Sequence, residues 1–242
     1  MSRDPEEPLA HPRPPGGNGL HSHGPANHRT EDEAIGVASF ILSLRARGIR
    51  DTALLRAMEL VPRDVFAPRR FSDLSRTDIA LPLPCGQTMT GPRTVAAMLL
   101  ALGVAPGQRI FEVGTGTGYV TALLARLGGE VSTIERFNTL AESARQHLRI
   151  VEASKVRMEV GDGLAARPRE RFDRILLNGA CAAIPSAVTS LLAPGGRLVG
   201  ALTGEGGPRL VRIDRTADGE LRQDIGVPLR LSPLVTGAAS TL

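Results

Sequence analysis

Tryptophan is absent from this 242-residue chain, tyrosine occurs once and phenylalanine six times. With 42% hydrophobic residues a sizeable core is still available, but Leu, Val, Ile and Ala must build it. Lysine is almost absent as well: Lys155 is the only one, so the net charge of +4 rests on arginine. The arginines are scattered, often beside acids as in ARPRERFDRI (166–175), and no basic block is interleaved with aromatics. A scattered excess reads as a solvated surface, so no nucleic-acid partner is expected. The two cysteines, Cys85 and Cys181, supply neither a disulfide framework nor a spaced ligand set, so no metal is expected. The longest apolar run, TVAAMLLALGVA (94–105), is too short to cross a bilayer, and the N-terminus has no apolar secretion core. No membrane partner is expected, and the setting reads as reducing and cytoplasmic.

What is present divides along the chain. Residues 1–30 are rich in proline, glycine and polar side chains, and bury too little apolar surface to offset their ordering entropy. They read as a disordered tail, and the spacing of His11, His21, His23 and His28 fits no tight metal site. Helical periodicity then begins: EDEAIGVASFILSLRARGI puts Ile35, Phe40, Ile41 and Leu44 on an expected apolar stripe. Asp51 can cap a second helix, TALLRAMELV, and Pro62 follows its end. PRDVFAPRRFSDLSRTD reads as loop with a short helix.

From Arg109 the rhythm alternates. RIFEV, EVSTIE, VRMEV, FDRILLN and GRLVGAL read as strands, and YVTALLARL, LAESARQHLRIV and PSAVTSLLA as helices, with loop between VRMEV and FDRILLN. This spacing implies right-handed crossovers, hence an α/β, doubly wound, mainly parallel sheet covered on both faces. PRLVRIDRT and LRQDIGVPLRL, joined through ADGE, read as a hairpin or edge strands.

After RIFEV comes GTGTGYVTA, with Gly114, Thr115, Gly116 and Gly118 where strand turns into helix. Such a loop lets a ligand approach the main chain at the carboxyl ends of the strands. Position 119 is Tyr, so the third glycine of a dinucleotide fingerprint is missing, and no Walker lysine is present. The pattern E-x-G-x-G-x-G, from Glu112 to Gly118, resembles the first motif of S-adenosylmethionine-dependent methyltransferases, whose ligand carries no phosphate. Glu112 can orient the loop or contact the ligand. Glu135 ends the next strand, where its carboxylate can accept from both ribose hydroxyls. Arg136 can flank adenine or be a plain surface arginine. Asp162, in GDG with Gly161 and Gly163, can bond the adenine amino group or simply make an Asp-Gly turn. LLNGACAA carries Asn178 but neither a proline pair nor an aromatic to stack a flipped base, which disfavours base methylation.

VPRDVFAP, DIALPLPCGQTMTGPRTVAAM, FEVGTGTGY, GDG, FDRILLNGACAAIP and LAPGGRLV occur in that order over roughly residues 38–237. Together they resemble the protein-L-isoaspartate O-methyltransferase family. The resemblance implies a Rossmann-like methyltransferase sheet with an N-terminal helical cap and extra C-terminal strands. It divides the chain into a tail (1–30), a cap with the active-site segment (31–92) and the S-adenosylmethionine-binding domain (93–242). It implies methyl transfer from S-adenosylmethionine to the free carboxylate of L-isoaspartyl, and some D-aspartyl, residues of damaged proteins. The ester collapses to a succinimide, and hydrolysis restores part of the pool to aspartate. Thr90 falls where the family has its active-site serine, and Thr88 matches the preceding threonine. The implied cofactor set is Thr88, Glu112, Gly114, Thr115, Gly116, Gly118, Glu135, Arg136, Asp162 and Gly163. LSPLV matches the substrate-side segment, so Leu234 and Val235 are expected to line a peptide groove through main-chain contacts. The chain departs from the family at Thr90, at Gly91 where a larger residue is common, at Pro84 in place of glycine, and at Arg76 near a usual tyrosine. These departures bear on rate and substrate fit more than on fold.

An isoaspartyl carboxylate is ionised at neutral pH, so it is already a nucleophile and no proton-abstracting base is needed. Alignment then carries catalysis and can supply up to about 7–11 kcal/mol. Small hydroxyls position a carboxylate without filling its space, and Pro92 suits the first turn of the following helix, which stiffens the boundary. Helix capping alone is the alternative reading of those threonines, and the positioning role is the favoured one. Cys85 and Cys181 read as packing thiols, and His147 as ordinary surface. A monomer is expected. Two other readings stay open: esterification of an aspartate in a dedicated peptide precursor, and an S-adenosylmethionine-binding interaction module with little turnover.

Overall fold

The computed structural model describes residues 31–166, 168–237 and 239; the tail expected over 1–30 lies outside the described residues. Two helices lead, α1 (Glu31–Ala46) and α2 (Thr52–Leu60). Asp51 caps α2 by accepting from the Leu54 N–H at 2.7 Å, which satisfies one of the free donors of the first turn. On α1 the buried seam is Val37, Phe40 and Leu44, while Ile35 is 61% exposed. Ile35 lies nearly half a turn round the cylinder from Val37, so the stripe expected from sequence is one residue narrower than it reads. PRDVFAPRRF resolves into a single turn, α3 (Arg63–Phe66), and a 3₁₀ stretch at Arg69–Leu74. The passage up to Thr90 then forms a short antiparallel hairpin, β1 (Leu81–Pro82) with β2 (Thr88–Met89). Pro92 opens α4 (Pro92–Leu102), where its missing N–H costs no helical bond.

Beyond it lie β3 (Arg109–Val113), α5 (Tyr119–Arg126), β4 (Glu130–Glu135), α6 (Asn138–Ile150), β5 (Val156–Val160) and β6 (Phe172–Cys181). The last elements are α7 (Ser186–Thr189), β7 (Leu192–Leu202), β8 (Arg209–Arg215) and β9 (Leu221–Pro228). One seven-stranded sheet runs β5-β4-β3-β6-β7-β8-β9. It is parallel from β5 to β7 and antiparallel from β7 to β9. The chain winds outward from β3 to β5 and returns beside β3 as β6, so the carboxyl end of β3 is a topological switch point, where a crevice opens.

Two elements differ from the sequence pattern. The helix expected over PSAVTSLLA is the single turn α7, and β7 begins inside LAPGG, with Leu192 paired to Phe172. Pairing lapses after Leu192 and resumes at Arg197 opposite Arg174. Residues 193–196 bulge out of the strand with Gly195 at a φ of 74°, so the turn chemistry of Pro-Gly-Gly persists inside β7. Cys181 belongs to the end of β6 rather than to a loop, and burial pushes its thiol up to about 11. Cys85 is only half-buried, in a turn where its φ is +60°.

Phe40, Leu44, Leu55, Phe66, Leu99, Leu123 and Val199 belong to one apolar cluster, so the helical cap and one face of the sheet share a core. Phe111 and Phe172 stack at 5.1 Å within a second cluster on the other face. Among the described residues no helix is long and apolar enough to cross a membrane.

Candidate active site

β3 stops at Val113 and the chain turns sharply into α5. Gly114, Gly116 and Gly118 take φ of 91°, 57° and 89°, which a side chain would strain. The loop is fastened from the two strands that flank β3. Gly114 N–H donates to Ile134 O at 2.9 Å, Asn178 Nδ2 donates to Gly114 O at 3.0 Å, and Gly116 N–H donates to Glu135 Oε2 at 2.7 Å. The other oxygen of Glu135 accepts from Phe137 N–H at 3.0 Å, so this carboxylate is fixed by backbone on both sides.

Glu112 lies behind the loop, fully buried. Its Oε2 accepts from Thr121 at 2.6 Å and from Thr133 at 2.8 Å, and Thr133 in turn meets Thr115 at 2.6 Å. Its Oε1 has no partner. Burial raises its pKa to about 8, against the pull of the two threonine hydroxyls and with a further push from Glu135. The acid is therefore held largely neutral at pH 7, as a scaffold beneath the glycines.

The opposite wall is the hairpin that ends at Thr90. Thr88 Oγ1 meets Ser232 Oγ at 2.7 Å, which ties this wall to the C-terminal segment. That segment crosses the mouth: Ala180 N–H donates to Ser232 O at 2.9 Å, Leu234 N–H to Ala180 O at 2.8 Å, and Gly237 N–H to Asp162 Oδ2 at 2.6 Å. A Cβ on Gly179 would lie 2.6 Å from Leu234 Cγ, and one on Gly114 would lie 3.3 Å from Leu234 Cδ2. Two glycines thus cradle one leucine between the sheet and the strap.

Thr88, Thr90, Gly114, Thr115, Gly116, Glu135, Arg136, Asp162, Gly163, Leu234 and Val235 line one crevice. Glu112 and Gly118 do not. Glu112 is behind the loop, and a Cβ on Gly118 would meet Leu148 and Ala144 at 3.3 and 3.4 Å, so Gly118 faces α6. The Thr115 side chain is turned inward to Thr133, leaving its backbone toward the crevice. Asp162 forms the turn that the sequence left open, with Oδ1 accepting from Leu164 N–H at 2.9 Å, and it borders the crevice as well. The Leu234 N–H is committed to Ala180, so it is not free to grip a peptide. Arg136 Nη1 donates to Val235 O at 3.4 Å.

Sequence reasoning missed four residues. Asn178 was read only for what it lacked. Ser232 carries no local signal, since its partner is 144 residues away. His147 is half-buried, packs on Phe66 at 5.5 Å between ring centroids, and has Nδ1 2.9 Å from the Thr117 carbonyl of the glycine loop. Arg63 sits in VPRDVF as an unremarkable arginine, yet it is 3% exposed.

A ligand without phosphate suits these walls: the loop presents main chain and a carboxylate, and Arg136 is the one cation among the described lining residues. The sequence profile of protein-L-isoaspartate (D-aspartate) O-methyltransferases matches residues 37–239. The chain belongs to that family. It is 43% identical over 205 residues to protein-L-isoaspartate O-methyltransferase 2 of Rhodopseudomonas palustris strain HaA2, covering 84% of this chain and 94% of the relative. Against the protein-L-isoaspartate O-methyltransferase of Xanthobacter autotrophicus it is 41% identical over 218 residues, covering 88% and 98%. A Plasmodium falciparum protein solved in complex with S-adenosyl-L-homocysteine shares the fold, with a TM-score of 0.73 at 20% identity over 82% of this chain and 98% of that one. Protein-L-isoaspartate O-methyltransferases depend on S-adenosylmethionine and methylate protein carboxyl groups, and this chain carries the sheet, loop and cap of that enzyme class.

Proposed function

We propose that this protein transfers a methyl group from S-adenosylmethionine to the free carboxylate of L-isoaspartyl residues, and of some D-aspartyl ones, in damaged proteins for repair. One observation carries the reading: the loop Gly114–Thr117 and the hydroxyl-bearing segment Thr88–Thr90 face one crevice. When bound, the cofactor supplies a methyl carbon on a sulfonium, with a thioether as leaving group. In this reading Glu135 accepts from the ribose hydroxyls and Asp162 from the adenine amino group through their remaining lone pairs, and Arg136 flanks the base. Glu112 and Gly118 act from behind the loop by fixing its shape. The acceptor carboxylate is ionised at neutral pH, so no residue removes a proton. Thr90 donates a hydrogen bond to one carboxylate oxygen and leaves the other aimed at the methyl carbon. Leu234 and Val235 border the entry of the peptide. The working unit in this reading is a monomer, acting in the cytoplasm with neither nucleic acid nor membrane.

An isoaspartyl peptide incubated with labelled donor tests this. Wild type should form a base-labile methyl ester. Thr90→Ala should lose about 100-fold in kcat/KM through misalignment, while Thr90→Ser keeps the hydroxyl and the rate. Equal rates in all three would remove Thr90 from the mechanism. Donor binding without transfer would leave an interaction module, and transfer only to a dedicated precursor peptide would leave a carboxyl methyltransferase acting on an aspartate of that precursor.

A further inference from the structure

Arg63 opens α3 and is buried beneath the acceptor wall. Its Nη2 donates to the Thr90 carbonyl at 3.0 Å and reaches the Ile79 carbonyl at 3.5 Å, and its Nη1 donates to the Ser75 carbonyl. The guanidinium lies over the ring of Tyr119, 5.7 Å from its centroid, and Tyr119 lines the crevice. Among the described residues no carboxylate makes an ion pair with Arg63; Asp78 acts on it from farther away. Its Nε has no partner. Burying a guanidinium without a counter-ion is costly, and burial accordingly lowers its pKa. An apolar side chain would fill the same space at less cost, so what the guanidinium holds must matter more than the volume it fills.

We propose that Arg63 is a positioning residue for the methyl acceptor. It fixes the Thr88–Thr90 strand through the Thr90 carbonyl, and it keeps a positive charge behind that strand which favours an anionic acceptor over a neutral one. The inference rests on the reading that Thr90 meets the acceptor carboxylate. The cofactor side is supported by other atoms of the same turn. Phe66 packs on Tyr119 at 5.6 Å and on His147 at 5.5 Å, and His147 holds the glycine loop at Thr117 O. Loss of the guanidinium therefore weakens acceptor handling and spares the donor pocket.

The test uses the full chain with Arg63→Met and Arg63→Lys beside wild type. Each is measured for kcat and KM on an isoaspartyl peptide, for S-adenosyl-L-homocysteine affinity by calorimetry, and for thermal midpoint. Arg63→Met should raise the peptide KM and lower kcat/KM by about 100-fold, with product affinity unchanged. Arg63→Lys should recover part of that loss, because it restores charge and donors but not the planar fork. If Arg63→Met does not fold, Arg63→Lys against wild type carries the test, and a raised peptide KM with unchanged product affinity is expected. Wild-type kinetics in both variants, or peptide and product binding falling together in step with the thermal midpoint, would overturn the proposal. A wild-type protein that forms no ester on the peptide would instead overturn the reading of the site itself, and this inference with it.

Discussion

Glu112 shows how one residue can look like a ligand and act as a support. Its ordinary value of 4.5 rises to about 8 in the fold. Between those pH values the folded chain holds a proton that the unfolded chain has released. The contribution of Glu112 to stability is therefore complete below about pH 4.5 and is lost as pH climbs toward 8. Glu112→Gln keeps the shape and removes the titration. Its urea midpoint should fall less than that of wild type between pH 5 and 8, and parallel profiles would count against the neutral acid. Gly91, where the resemblance leads one to expect a larger residue, is a second case. Its φ of −63° is open to any residue, but a Cβ would lie 3.3 Å from the Ile79 backbone carbonyl carbon. A side chain there would ask the Ile79 backbone to yield by a few tenths of an ångström.

At the scale of elements, the C-terminal strap is held to β6 by a parallel bridge between Ala180 and Pro233. Its side-chain anchor is Leu234, seated where Gly179 leaves room. Gly179→Ala forces a methyl to 2.6 Å from Leu234 Cγ and 2.9 Å from Ser232 O. Overpacking of this kind should cost about 1–3 kcal/mol in a urea titration and raise the peptide KM, because the strap borders the crevice. An unchanged midpoint would mean that the strap moves aside freely. The cap helix α2 is simpler: Asp51→Ala should cost about 1 kcal/mol, the usual value of a lost N-cap. That cap, the stop at Pro62 and the proline opening α4 were all readable in sequence, since each signal and its effect lie within one turn. The extent of β6 and β7 was not, because strand length there follows from pairing with a partner rather than from composition.

For the molecule as a whole, the shared core makes the cap and the sheet one cooperative unit. Phe66, 1% exposed, is the joint, in contact with Tyr119 of α5 and His147 of α6. Phe66→Ala should cost about 3–5 kcal/mol and still give a single unfolding transition, with calorimetric and van't Hoff enthalpies in agreement. Two separated transitions would show that the cap folds by itself. The sequence alone determined the alternation of strands and helices, the glycine turn at the end of β3 and the hydroxyl pair before α4, because periodicity, capping and turn chemistry act between near neighbours. Only the tertiary structure decided that Glu112 faces inward, that Ser232 clasps Thr88 across 144 residues, and that Arg63 holds Thr90 across 27. Burial and hydrogen-bond partners are set by segments that meet only once the sheet has closed its core, and no local pattern records them.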